Sequence, residues 1–207
     1  MQNRKPLAVY LPHNEPYLGR ELVLEFDRSI PPALDVHMKV GRRTFLGSLS
    51  PLQVAATEII PQGVSIALSI RELVRQGYLY SAAILIRPLV ERTGTIQYLQ
   101  QHQDAVELWR SGWPRHAQPT FQQLLDTLHP GREAADYDAL RTLMNKLVHS
   151  DPAGSAYNML KQPDGIPVFS SGKVIDNPQL CDTVCAAGWC YLKKLSSIAT
   201  QIFPDAA

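Results

Sequence analysis

Apolar residues recur at the three- and four-residue spacing of amphipathic helices along most of the chain after residue 50. Ser50 followed by Pro51 is typical of a helix start, and Gly77 is typical of a helix end. Pro61 falls between them, so the pattern allows either one kinked helix or two helices. The next segment, 78–101, is apolar on more than one side, which predicts the most buried helix of the fold. Further helices are predicted over 104–113, 120–128, 132–150 and 178–202.

The first 48 residues have a different pattern. They are rich in proline and glycine, with β-like pieces at 7–11, 21–26 and 37–40. We therefore predict an irregular or extended segment over 1–48, followed by a helical domain over 49–207. Within that domain, 166–169 and 173–175 flank a serine- and glycine-rich turn and predict a small β-hairpin near 166–175. The predicted fold class is mainly α, a bundle of about five or six helices.

Composition excludes several classes of protein. The chain has 207 residues, 45% of them hydrophobic, and a formal net charge of +1, which argues against disorder and against a strongly basic coat for nucleic acid. Apolar runs are much shorter than the ~20 residues of a membrane span, and the N-terminal apolar stretch is too broken for a secretory signal. We therefore expect a cytoplasmic protein with no membrane association. Three cysteines make no disulfide framework, and no common metal or nucleotide motif is present, so we expect no cofactor.

Charged residues stand out on the apolar segment 78–101. Arg87 and Glu91 are four positions apart, on one face of the predicted helix. One interpretation is that they pair with each other and hold the bundle in register. The other is that they line a polar cleft together with residues of the predicted helix that ends near Ser150.

A second polar group lies at the end of that later helix. Asn145 and His149 are also four positions apart, and Lys146 flanks them. An imidazole can take up or release a proton near neutral pH, which suits acid/base chemistry. The alternative is a structural histidine that bonds a carbonyl of the last helical turn.

These two segments resemble the HEPN (higher eukaryote and prokaryote nucleotide-binding) superfamily of small helical bundles. Its hallmark is an arginine, four to six residues and then a histidine, most often with asparagine directly after the arginine. Here Asn145 and His149 match that spacing, and Met144 stands at the arginine position. The segment from Arg87 to Glu91 is similar to the Arg-Pro-x-x-Glu segment of uncharacterised bacterial members. The resemblance extends over the whole helical part of the chain.

The resemblance implies a metal-independent ribonuclease of the toxin–antitoxin or phage-defence type. It further implies a homodimer that acts on RNA and has an antitoxin or defence-system protein as partner. His149, with Asn145 beside it, would act as general acid/base, and an arginine would stabilise the phosphate. Since Met144 cannot do so, another cation has to. The residues expected to bind the substrate are Lys146, Arg141, Arg87 and Glu91.

Two other functions remain open from the sequence. One is a non-catalytic relative that serves as a dimerisation or partner-binding module. The other is a small-molecule enzyme or sensor, in which Tyr78, Tyr80 and Trp113 would supply the aromatic walls of a cleft.

Overall fold

The computed structural model describes residues 15–132, 134–149, 159–161, 167–169 and 172–204. These residues form a mainly helical bundle, which confirms the mainly α part of the predicted fold class, although seven helices are described rather than five or six. The described part contains seven helices and two short strands: α1 (Glu21–Arg43), α2 (Pro51–Gln76), α3 (Leu79–Gln101), α4 (Ala105–Arg110), α5 (Phe121–Leu128), α6 (Ala134–Val148), β1 (Met159–Lys161), β2 (Pro167–Phe169) and α7 (Pro178–Ile202).

Helix α1 corrects the prediction for the N-terminal part. The β-like pieces at 21–26 and 37–40 are helical, and the piece at 7–11 lies outside the described residues. The helix continues through Pro31 and Pro32, although each proline removes a backbone donor. It packs against α7 and α2 along a buried face made of Val23, Phe26, Ala33 and Val40. This burial explains why a segment with two interior prolines is helical rather than irregular.

The β-hairpin predicted near 166–175 is not seen among the residues of that segment that the structure describes, 167–169 and 172–175. Strand β2 pairs instead with the earlier strand β1, antiparallel, with Met159 opposite Phe169. The expected second strand, 173–175, lies against the bundle. The backbone N–H of Val174 donates to the carbonyl of Gly77 at 2.8 Å, and the hydroxyl of Tyr17 donates to the carbonyl of Val174 at 2.6 Å. Both backbone groups of Val174 are therefore bonded to the bundle rather than to a hairpin partner.

Helix α2 begins and ends where its sequence predicts, and it is one helix. Ser50 and Gln53 form a capping box at its start. Gly77 ends it in the left-handed conformation with φ of 83°, which glycine adopts without strain. Pro61 lies inside the helix and does not divide it.

Helix α3 is central to the bundle and packs against α2, α7, α5 and α6. Gly94 permits the close approach of α5, because a Cβ atom there would lie 2.8 Å from Cβ of Leu124. Helix α6 packs on α3 through an apolar face in which Met144 and Leu147 are buried. The first turn of α5 and the last turn of α6 therefore both lie close to the middle of α3.

None of the described helices is both long enough and apolar enough to span a membrane. In α3, the helix predicted to be most buried, Arg87, Glu91 and Arg92 interrupt the apolar sequence.

Candidate functional site

Arg87, in the middle of α3, is the centre of a group of polar contacts. Its Nε donates to Oε1 of Glu91 at 3.0 Å, and its Nη1 donates to Oδ1 of Asn145 at 3.0 Å. The same Nη1 lies 3.0 Å from Nε2 of His149. The guanidinium also lies over the ring of Phe121, with 4.9 Å between Cζ and the ring centroid. We call these five residues the Arg87 cluster.

Two helices supply the polar members in matching pairs. Arg87 and Glu91 are one turn apart on α3, and Asn145 and His149 are one turn apart at the end of α6. The backbone N–H of His149 donates to the carbonyl of Asn145 at 3.0 Å, so His149 continues the helical turn. The side chain of Arg87 is 18% exposed and that of Glu91 33%, whereas His149 is exposed. The cluster thus runs from a largely buried guanidinium to an accessible imidazole.

The contact between Arg87 and His149 fixes the role of one ring nitrogen. Arginine has donors only, so Nε2 of His149 must be the acceptor in this arrangement. His149 therefore bonds Arg87 as a base with its lone pair directed at the guanidinium.

Of the two interpretations of Arg87 and Glu91, the pairing is observed, whereas no described residue of α6 lines the cleft that the two residues share. The two side chains form an ion pair, as the spacing indicates, and Arg87 also reaches across to α6. The alternative for His149, a ring bonded to a carbonyl of the last turn, is not observed among the described residues. Its ring contact is with Arg87.

The other predicted site residues lie outside the cluster. Met144, at the position of the motif arginine, is 2% exposed and belongs to the core. Arg141 forms an ion pair with Asp138 on its own helix. Lys146 is half-buried and makes no hydrogen bond or ion pair within the described part of the chain. Of the cations expected to replace the motif arginine, only Arg87 reaches His149.

A cleft of about 550 Å³ adjoins the cluster and shares Arg87, Glu91 and Phe121 with it. Its other walls come from α2, α3, α4, the segment before α5 and α5 itself, and include Arg92, Trp109, Trp113, Arg115 and Gln118. Of the aromatic residues expected to line a cleft, only Trp113 lines this one. Tyr78 lies near Lys173, with 6.0 Å from Nζ to the ring centroid, and Tyr80 packs against the core.

The sequence singles out Arg92 as a further charge on the apolar segment, but Trp109 and Arg115 were not predicted as lining residues. The signal that was present is the placement of Trp109 and Arg115 close to Trp113 in the chain. This placement alone does not show that the segment folds back onto α3.

Among the described residues, no group of three or more His, Cys, Asp or Glu side chains is arranged to hold a metal ion. Comparisons with models of protein families, with curated proteins and with solved structures found no significant match.

Proposed function

We propose that this protein is a metal-independent endoribonuclease of the HEPN type, with the Arg87 cluster as its active site. The observation that carries the proposal is the 3.0 Å contact between Nη1 of Arg87 and Nε2 of His149. It combines a cation suited to phosphate with an acid/base group in an accessible position. Arg87 of α3 then takes the role of the motif arginine, whose position is occupied by Met144.

The reaction that suits these groups is attack of an RNA 2′-hydroxyl on the adjacent phosphorus. His149 accepts the hydroxyl proton through Nε2 as the O2′–P bond forms. The P–O5′ bond breaks, and the leaving 5′-oxygen takes a proton. The products are a 2′,3′-cyclic phosphate and a free 5′-hydroxyl. His149, protonated by the first transfer, is the group that donates this proton, so the step is balanced with one imidazole acting first as base and then as acid.

Arg87 has the role of binding the phosphate oxygens, on which negative charge increases during the reaction. A phosphate that enters the cluster competes with His149 for Nη1 and releases Nε2 for proton transfer. Glu91 and Asn145 keep the guanidinium in place through Nε and Nη1. They are positioning residues in this scheme.

The test is cleavage of a defined single-stranded RNA by purified protein in the presence of EDTA. We expect the wild type to produce 2′,3′-cyclic phosphate ends and His149→Ala to lose at least 100-fold in rate. His102→Ala is the matched control, because His102 is also exposed but stacks on Tyr98 at the end of α3. It should cleave like the wild type.

The same variants can be expressed in a host cell, with growth and total RNA integrity as readouts. Growth arrest with RNA cleavage in the wild type, and neither in His149→Ala, supports a toxin or defence role. Intact RNA with every variant, in the tube and in the cell, contradicts the ribonuclease proposal.

The alternative is a non-catalytic dimerisation or partner-binding module. It is favoured by the same contacts, because the bonds of Arg87 to Asn145 and His149 also tie α3 to α6. In that case Arg87→Ala lowers the thermal midpoint of unfolding, and neither the wild type nor the variant cleaves RNA.

A further inference from the structure

We propose that the cleft beside the Arg87 cluster binds the nucleotide of a single-stranded RNA that adjoins the cleaved phosphate, with the base against Trp113 and the phosphate at Arg115 and Arg92. This inference rests on the proposed function and names the substrate unit at its site. The volume of the cleft, about 550 Å³, lies within the usual range of small-molecule pockets.

Continuity with the cluster is the first argument. Arg87, Glu91 and Phe121 belong to both the cluster and the cleft wall. A phosphate held by Arg87 therefore has its neighbouring nucleotide at the entrance to the cleft.

The second argument is the fixed aromatic wall. Trp113 lies just after the end of α4 with φ of 39°, a left-handed conformation that a bulky residue rarely adopts. Its backbone N–H donates to the carbonyl of Leu108 at 2.9 Å, and its ring lies edge-on to Tyr98 at 6.4 Å between centroids. These contacts hold a half-buried indole at the cleft. Aromatic side chains of this kind stack on unpaired bases with little sequence preference.

The third argument is the charge of the cleft. Arg115 is exposed and has no hydrogen bond or ion pair with any described residue, so its guanidinium is free to bind an anion. Arg92 is 38% exposed and is held by Oε1 of Gln62 at 3.2 Å and Oε2 of Glu91 at 3.8 Å. The acidic residue in this wall, Glu91, is itself paired with Arg87. A planar guanidinium binds phosphate through two parallel hydrogen bonds.

An RNA strand, rather than a free nucleotide, fits the second cleft that adjoins Trp109 and Trp113. Trp109, Trp113 and Gln118 also line a second cleft of about 620 Å³, whose charged residues are Glu58 and Arg110. The indoles therefore stand between two clefts that a chain of nucleotides can occupy in succession. A duplex does not fit this arrangement, because its bases are not available for stacking on side chains.

The experiment measures binding of a 2′-O-methyl oligoribonucleotide, which lacks the 2′-hydroxyl needed for cleavage, to the wild-type protein. We expect Trp113→Ala and Arg115→Gln each to weaken binding at least fivefold. Matched controls lie across the bundle in the groove between α1 and α7: Trp189→Phe and Arg28→Gln. These should bind within twofold of the wild type. Arg115 is exposed, so Arg115→Gln tests the cleft even where Trp113→Ala fails to fold.

The outcomes separate this inference from the proposed function. Unchanged binding by Arg115→Gln and folded Trp113→Ala overturns the inference, and the proposed function stands if His149→Ala still abolishes cleavage. Binding that depends on these two residues, without cleavage of ordinary RNA, contradicts the proposed function but keeps a nucleotide site in the cleft. Free AMP or UMP binding as tightly as the oligonucleotide overturns the assignment to a strand.

Discussion

Arg87 and His149 are 62 positions apart in the sequence, and their side chains meet at 3.0 Å between Nη1 and Nε2. The contact joins the middle of α3 to the end of α6. It brings a guanidinium to a histidine whose own helix has the buried Met144 five positions earlier. Under the proposed function, the two helices together present the pair of groups that the HEPN motif has on a single helix.

Replacement of Arg87 by lysine is expected to lower RNA cleavage at least 100-fold. Lysine keeps the charge but has one ammonium group, which cannot reach Glu91, Asn145 and His149 from a rigid fork. The measurement is the rate of cleavage in EDTA, with the circular dichroism spectrum as a check on folding. Arg141→Lys is the comparison, because Arg141 bonds Asp138 outside the cluster. A large loss in Arg141→Lys and none in Arg87→Lys would assign the phosphate to Arg141.

Substitution of Met144 by arginine, which the proposed HEPN resemblance would place at this position, is expected to destabilise the fold rather than to raise activity. The Met144 side chain is 2% exposed, so the substitution buries a charge without a partner. We expect a loss of about 3 kcal/mol or more in the free energy of unfolding, measured with urea. Val148→Arg, at a position on the same helix that is 39% exposed, should change it by about 0.5 kcal/mol or less. A stable and more active Met144→Arg would show that this position faces the site.

Local patterns in the sequence were sufficient to predict the two polar residue pairs of the site, but not the contact between the two helices that carry them. Helical spacing placed Arg87 with Glu91 and Asn145 with His149, and both pairs are found. Which cation reaches His149 stayed open, because that choice depends on how α3 packs against α6. The spacing of residues within one helix carries no information about this packing.

The two wrong predictions, an irregular N-terminal segment and a β-hairpin near 166–175, have a common origin. Pro31 and Pro32 lower the local helix propensity of 21–43, but burial of Phe26 and its neighbours against α7 stabilises the helix. The hairpin prediction considered only the local turn, whereas Val174 bonds Gly77 and Tyr17, which are distant in sequence. In both cases tertiary contacts outweigh a local preference.

The contact of α1 with α7 can be tested at Gly188. A Cβ atom at this position would lie 2.7 Å from the ring of Phe26, which is fully buried, so the ring or the helix would have to shift. We expect Gly188→Ala to lower the free energy of unfolding by about 1 to 3 kcal/mol. Gly41→Ala is the matched control in α1, where a Cβ atom meets nothing within 4 Å, and it should stabilise the helix by about 0.5 to 1 kcal/mol. Equal effects of the two substitutions would contradict the close packing of α1 on α7.

The environment of His129, at the end of α5, leads us to expect a loss of stability in mild acid. Burial lowers the pKa of His129 below its ordinary value of 6.5, and the positive charges of Lys194 and Arg132 add to this effect. Its Nε2 also lies 3.1 Å from the hydroxyl of Tyr191. Between the lowered pKa and 6.5 the unfolded chain therefore binds more protons than the folded one, so stability falls as the pH drops through this range. In urea unfolding, the free energy of unfolding should fall less between pH 7.5 and pH 5.5 for His129→Gln than for the wild type. His116→Gln, at an exposed histidine, is the control. An identical drop in His129→Gln and the wild type would show that His129 does not contribute to the acid sensitivity.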